Sequence, residues 1–159
     1  MKSDKHDYIF DVSLQECGMC DVKGKILRKI QISENKSLYS FAKTITQAFG
    51  FSFDHCFGFY DNLKNDHESK NAYELFVDIG EEATVPMANG VKNIKVSKAF
   101  KNPGEKMLFV FDYGDDWHFI VELKEKKVVK ERNIKPAILE SIGGAPKQYP
   151  PCEDEIVLH

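Results

Sequence analysis

The sequence predicts a single α+β domain with a mostly antiparallel sheet, and three observations predict it. Six short apolar or alternating runs have the length and pattern of strands. One stretch, from Ser37 to Gly50, switches clearly to helical spacing. The chain has 159 residues, 42% of them hydrophobic and 30% charged, which suits one core and an ordinary folded protein.

In chain order, YIFDVSL (8–14) sets Tyr8, Phe10, Val12 and Leu14 on one side of a strand. After the loop CGMCDVKG, KILRKIQIS (25–33) alternates again, with Ile26, Arg28, Ile30 and Ile32 on one side, so an antiparallel pair is expected. Leu38, Phe41, Ile45, Ala48 and Phe49 then mark a helix that Ser37 can cap and Gly50 can end. CFGFYD (56–61) reads as a short strand, 62–72 as a polar loop and YELFVDI (73–79) as another strand. Between Gly80 and Gly104 the pattern fades, apart from a helical turn at Val96–Phe100. MLFVFDY (107–113) and DWHFIVEL (116–123) are the strongest strands. Four of the six prolines fall in 136–151, which predicts an ordered, irregular surface loop there. The opening β-β-α-β order is shared with β-grasp folds. No linker divides the chain, and residues 1–6 and 153–159 read as tails.

The charge is balanced. The 22 basic and 25 acidic residues give a formal charge of −3, and neither half of the chain is basic, which disfavours nonspecific nucleic-acid binding. Lysines 92, 95, 98 and 101 and the run Lys124–Lys135 read as a solvated face. The run, with six basic and two acidic residues, is where nucleic acid would bind if it bound at all. No apolar run is long enough for a membrane span, and the N-terminus has no leader pattern. A cytoplasmic protein is therefore expected, with Cys17, Cys20, Cys56 and Cys152 as reduced thiols.

FDYGDDWHFIVEL (111–123) brings two apolar runs together at three acids. Gly114-Asp115 suits a two-residue type II′ hairpin loop. That register sets Tyr113 opposite Asp116, Asp112 opposite Trp117 and Phe111 opposite His118. One face then carries Leu108, Val110 and Asp112 with Trp117, Phe119, Val121 and Leu123. Strand 107–113, apolar on both faces, should be central. Asp112 then stands on an apolar face and needs partners, which turn amides or the Trp117 indole can supply. The rival reading has Asp112, Asp116 and His118 converging as a metal or acid–base catalytic site, although Asp112 and His118 point to opposite faces in this register. The turn reading is preferred.

The pattern Asp112-Tyr113-Gly114-Asp115-Asp116-Trp117, followed downstream by ESIGGAPKQYP, resembles the proteins named after the third open reading frame of an Agrobacterium root-inducing plasmid. Relatives of these are catalogued as insertion-element passenger or resolvase-like proteins. The matching loop residues are Gly143, Gly144, Ala145, Pro146, Tyr149 and Pro150, and the helix with FSFDHCFGFY after it also fits. The chain departs from the family where ILRKI (26–30) replaces a Trp-Arg-Arg-Ile stretch, and only Cys152 remains of a two-cysteine loop. The resemblance implies no established activity. It implies that hairpin and Pro-rich loop pack together, with Asp112, Trp117, Pro146 and Tyr149 at one binding site.

Cys17-Gly-Met-Cys20 sits in a loop between strands, the usual setting of a zinc knuckle, but no second CxxC supplies the other ligands. Plain loop cysteines are expected ahead of a metal site or a redox pair. His55 and Cys56, being adjacent on a strand, point apart. No phosphate loop, nucleophile elbow or HExxH occurs. The expected function is a noncatalytic binding module for a protein partner, in the setting of a mobile element, with no cofactor. The alternatives are a small metal-dependent enzyme using Asp112, Asp116 and His118, and a domain stapled by zinc at Cys17 and Cys20.

Overall fold

Every strand pairing in the structure, a computed structural model that describes residues 4–18, 22–132 and 135–149, is antiparallel. In chain order the elements are β1 (Lys5–Glu16), β2 (Leu27–Ser33), α1 (Leu38–Ala48), β3 (Phe57–Tyr60), β4 (Ala72–Glu74), α2 (Leu75–Asp78), α3 (Val96–Ala99), β5 (Lys106–Phe111), β6 (Trp117–Val129) and β7 (Ala137–Ile142). The strands make one seven-stranded sheet in the order β4-β3-β5-β6-β1-β2-β7. The α+β class and the antiparallel pair β1–β2 are as expected, and β5 is central, buried on both faces.

Helix α1 forms because its apolar residues fall on one face and its ends are satisfied. Ser37 Oγ accepts the Ser40 N–H at 3.1 Å, and Gly50, at φ +77°, turns the chain out of the helix. Leu38, Phe41, Ala42 and Ile45 bury against one sheet face, where Phe10, Val12, Ile30, Phe59, Phe109 and Phe119 are completely buried. Phe41 meets Phe10 at 4.5 Å and stacks on Phe59 at 5.9 Å. Each such side chain contributes about 1.5–3 kcal/mol on burial. The opposite face is covered over β3 and β5 by segment 61–90, whose Ala72 and Val85 close on Tyr60, Leu108 and Val110.

Arg28 ties three of these parts together. Its guanidinium donates to the carbonyls of Ala48 at the end of α1, of Ile142 at the end of β7 and of Gly143 after it, all at 3.0 Å, and lies 4.9 Å over the Phe49 ring. The helix end thus gains a cation where its carbonyls lack partners.

Four expectations are corrected. YELFVDI is a strand only to Glu74 and then a helical turn. Asp78 accepts the Val91 and Lys92 amides there, and Val77 and Ile79, lying past the sheet edge, are exposed. The Pro-rich end contains β7, because AILESI finds the open edge of β2 once Pro136 is passed. Strand β6 runs to Val129, so the first half of the basic run Lys124–Lys135 is sheet. The β5–β6 connection is also not a two-residue loop. Phe111 pairs with Trp117 and Val110 with His118, one residue out of the expected register. A shift of one exchanges faces, so Phe109 and Phe111, not Val110 and Asp112, share the face of Trp117 and Phe119. Among the described residues no helix is long and apolar enough to cross a membrane.

Candidate functional site

At the end of the sheet where β5 finishes and β6 begins, three loops meet: 50–56 leading into β3, 112–116, and 143–149 leaving β7. The middle loop turns through left-handed backbone at Asp112 (φ +62°) and Asp116 (φ +58°), not at Gly114. Asp tolerates that region better than most side chains because it can bond its own turn. Asp112 Oδ1 accepts the N–H groups of Gly114 and Asp115, both at 3.2 Å, and its own N–H donates to the Cys56 carbonyl at 2.9 Å. The turn-amide part of the expectation therefore describes half of Asp112. Trp117, 2% exposed, packs at 4.6 Å on Phe51 instead, and its indole N–H has no hydrogen-bond partner among the described residues.

The other half of Asp112 faces His55. Its Oδ2 lies 3.2 Å from His55 Nε2, which is 2.6 Å from the Tyr149 hydroxyl. Tyr149 donates to Asp54 Oδ2 at 2.8 Å, so the ring N–H of His55 is the donor to the hydroxyl. Gln148, buried beside them, fixes the loop: its Oε1 accepts the Ser52 N–H at 2.7 Å and its Nε2 donates to Ser52 O and Asp54 Oδ1. Asp112 and Tyr149 are thus brought to one place, with His55 between them. The Tyr149 phenol is pushed up to about 12 by loss of water around its hydroxyl, then by its bond to Asp54 and the charges of Asp54, Asp112 and Asp115. Pro146 is half-buried on the same loop.

Asp116 and His118 pair with each other instead, Nε2 to Oδ1 at 2.6 Å, and His118 Nδ1 lies 3.4 Å from Glu16. The set Asp112, Asp116 and His118 is therefore divided between two histidines. Cys17 is disulfide-bonded, not the reduced thiol expected, and a disulfide sulfur offers zinc no thiolate. Cys20 and Cys152 lie outside the described residues. Among the described residues no group of three or more His, Cys, Asp or Glu is placed to hold a metal ion. The Cys56 thiol is raised by burial and then by Glu81, which disfavours its reactive form.

A second polar cluster lies under segment 61–90. Glu74, fully buried, accepts from the Tyr60 and Thr84 hydroxyls and from the Thr84 N–H at 2.9 Å, and Tyr60 meets the Tyr113 hydroxyl at 2.6 Å. Burial drives both phenols well above their ordinary range. Gly58 makes room for them: a Cβ there would lie 2.6 Å from the Tyr60 oxygen and 2.7 Å from that of Tyr113. This cluster anchors the covering segment.

The model of the family described as plasmid pRiA4b ORF-3-like protein matches residues 7–151. Among solved structures, the protein of unknown function MM3350 from Methanosarcina mazei Go1 is similar with a TM-score of 0.67 and 22% identity, over 89% of this chain and 72% of that one. At that identity the likeness is one of fold. No curated protein matches the chain.

Proposed function

The chain belongs to the plasmid pRiA4b ORF-3-like family, and from that premise we propose that it is a noncatalytic binding module that takes a basic segment of a protein partner at the loop end of its sheet. The observation that carries this reading is the exposed His55–Tyr149 pair, held from below by the buried carboxylate of Asp112 and from the side by Asp54. These side chains satisfy one another without ligand, so the surface is shaped before a partner arrives, which lowers the entropy lost on binding. Loops 50–56, 112–116 and 143–149 hold Asp54, Asp112, Asp115 and Asp116 against a single basic residue, Lys147. An exposed imidazole and phenol inside an acidic rim suit an ammonium or guanidinium group, through charge and through the aromatic faces.

The test is a titration of fluorescent peptides, lysine- and arginine-rich against acidic ones of equal length, followed by anisotropy. The module should bind the basic peptides, more weakly as salt rises, and a His55→Ala/Tyr149→Ala variant whose circular dichroism shows it still folded should lose them. Binding without a charge preference, or binding that survives the double variant, would sink the idea.

A further inference from the structure

The opposite end of the sheet, where β3 finishes and β5 begins, has the reverse electrostatics. Lys98 on α3, Lys101 after it and Lys106 at the start of β5 line one open cleft of about 380 Å³, together with Asp61, Tyr73 and Glu105. Among the described residues none of the three ammonium groups has a carboxylate at ion-pairing distance. The two acids of the cleft keep their negative charge, while their oxygens accept from neighbouring amides. Asp61 accepts the N–H groups of Lys70 and Asn71 and the Asn71 side-chain amide, at 2.9–3.0 Å. Glu105 accepts the Lys101 N–H at 2.8 Å and the Asn102 amide at 3.1 Å. Both carboxylates shape turns, and the lysines are left facing solvent together.

The fold holds this arrangement in place. The N–H groups of Val96 and Ser97 bond to the carbonyls of Lys36 and Glu34, and Phe100 is completely buried, so the chain carrying Lys98 and Lys101 has little freedom. Three ammonium groups against two carboxylates leave the cleft with one net positive charge, and an anion that reaches the lysines lowers their mutual repulsion. Ala99, Met107 and the nearly buried ring of Tyr73 give the cleft an apolar wall. The volume exceeds what a bare oxyanion fills and falls within the range of small-molecule sites.

We propose that this cleft binds a phosphate group, with Lys98, Lys101 and Lys106 as its cationic ligands and Tyr73 beside the group that carries it. Lysine serves as a point charge for phosphate without needing the fixed fork of arginine. The Tyr73 phenol, raised by burial and then by the Asp61 charge, offers a hydrogen-bond donor, as any tyrosine does at neutral pH.

Isothermal titration calorimetry of the full chain at low salt, with inorganic phosphate, adenosine 5′-monophosphate and adenosine, tests this. Both anions should bind and adenosine should not. Tighter binding of the monophosphate identifies an ester as the ligand, and equal affinities identify the free anion. Lys98→Ala/Lys101→Ala should weaken binding by about tenfold or more at unchanged melting temperature, since both side chains are exposed. Lys130→Ala, at the far end of β6, should leave affinity unchanged. Silence with both anions up to millimolar concentration would overturn the proposal, as would undiminished binding in the double variant or equal loss in Lys130→Ala.

Discussion

Asp112 combines two tasks that separate on mutation. Asn at this position keeps an acceptor for the Gly114 and Asp115 amides and tolerates the left-handed backbone, but loses the charge facing His55. Ala loses all three. Urea denaturation should find Asp112→Ala destabilised by about 2–3 kcal/mol and Asp112→Asn by about 1 kcal/mol; equal losses would mean that the turn bonds contribute nothing. Tyr149 gives a prediction in pH. Its folded pKa of about 12 lies above the ordinary tyrosine value of about 10. The neutral phenol is therefore the form the fold favours, and its stabilisation is complete below pH 10 and is lost as pH rises from about 10 through 12. In an absorbance titration at alkaline pH, the difference between wild type and Tyr149→Phe should show one phenol ionising near pH 12; an ordinary midpoint would remove the Asp54 bond from the account. At this scale the sequence was partly readable. Asp112 drew attention because a carboxylate beside apolar residues needs partners. His55 was weighed only with its neighbour Cys56, because its partners come from 57 and 94 positions away, and the aromatic run around it in FSFDHCFGFY was the remaining signal.

Among the elements, α1, β1 and β2 could be read from period and caps because each has one clearly buried face, and β3 and β5 as short apolar runs buried on both. β7 could not. All but its last residue are exposed, so AILESI shows no burial pattern, and what holds it is main-chain pairing with β2 and the Arg28 bonds at its end. The misreading of YELFVDI has the opposite cause: the alternation is present, but Glu74 already pairs with Gly58 near the start of β3, so the second half runs past the end of its partner strand. The β5–β6 register depended on which residue takes positive φ, and Gly114 was the obvious choice; the acids on either side took that role. Arg28→Lys tests how β7 is held. A lysine cannot reach the Ala48, Ile142 and Gly143 carbonyls together, so stability should fall by about 2 kcal/mol or more. Hydrogen exchange should speed up in Ala137–Ile142 before it does in β1 or β6; uniform acceleration would show that β7 is not separately tethered.

For the molecule as a whole, one sheet threads both candidate sites, with the acidic rim at one end and the lysine cleft at the other. The core on the α1 face runs unbroken from β2 to β3, so the chain should unfold as one unit. Trp117 is the sole tryptophan and is buried, which makes it a convenient probe. Its fluorescence and the far-ultraviolet circular dichroism should report coincident urea transitions; separate midpoints would mean that the two ends are independent. Balanced net charge gave no hint of this polarity, because composition sums over the chain while the fold sorts residues by strand end.

The Gln148 and Tyr149 contacts carry a consequence in time. They close over Ser52, Asp54 and His55, more than ninety residues upstream. During synthesis the acidic turn and the histidine loop emerge long before the residues that seal them. A nascent chain can therefore begin its sheet while its recognition surface is still open, and pairings this distant in sequence form slowly. The site is completed only when Gln148 and Tyr149 have been made, so a chain cut short before residue 148 can retain much of the sheet and still present nothing to a partner.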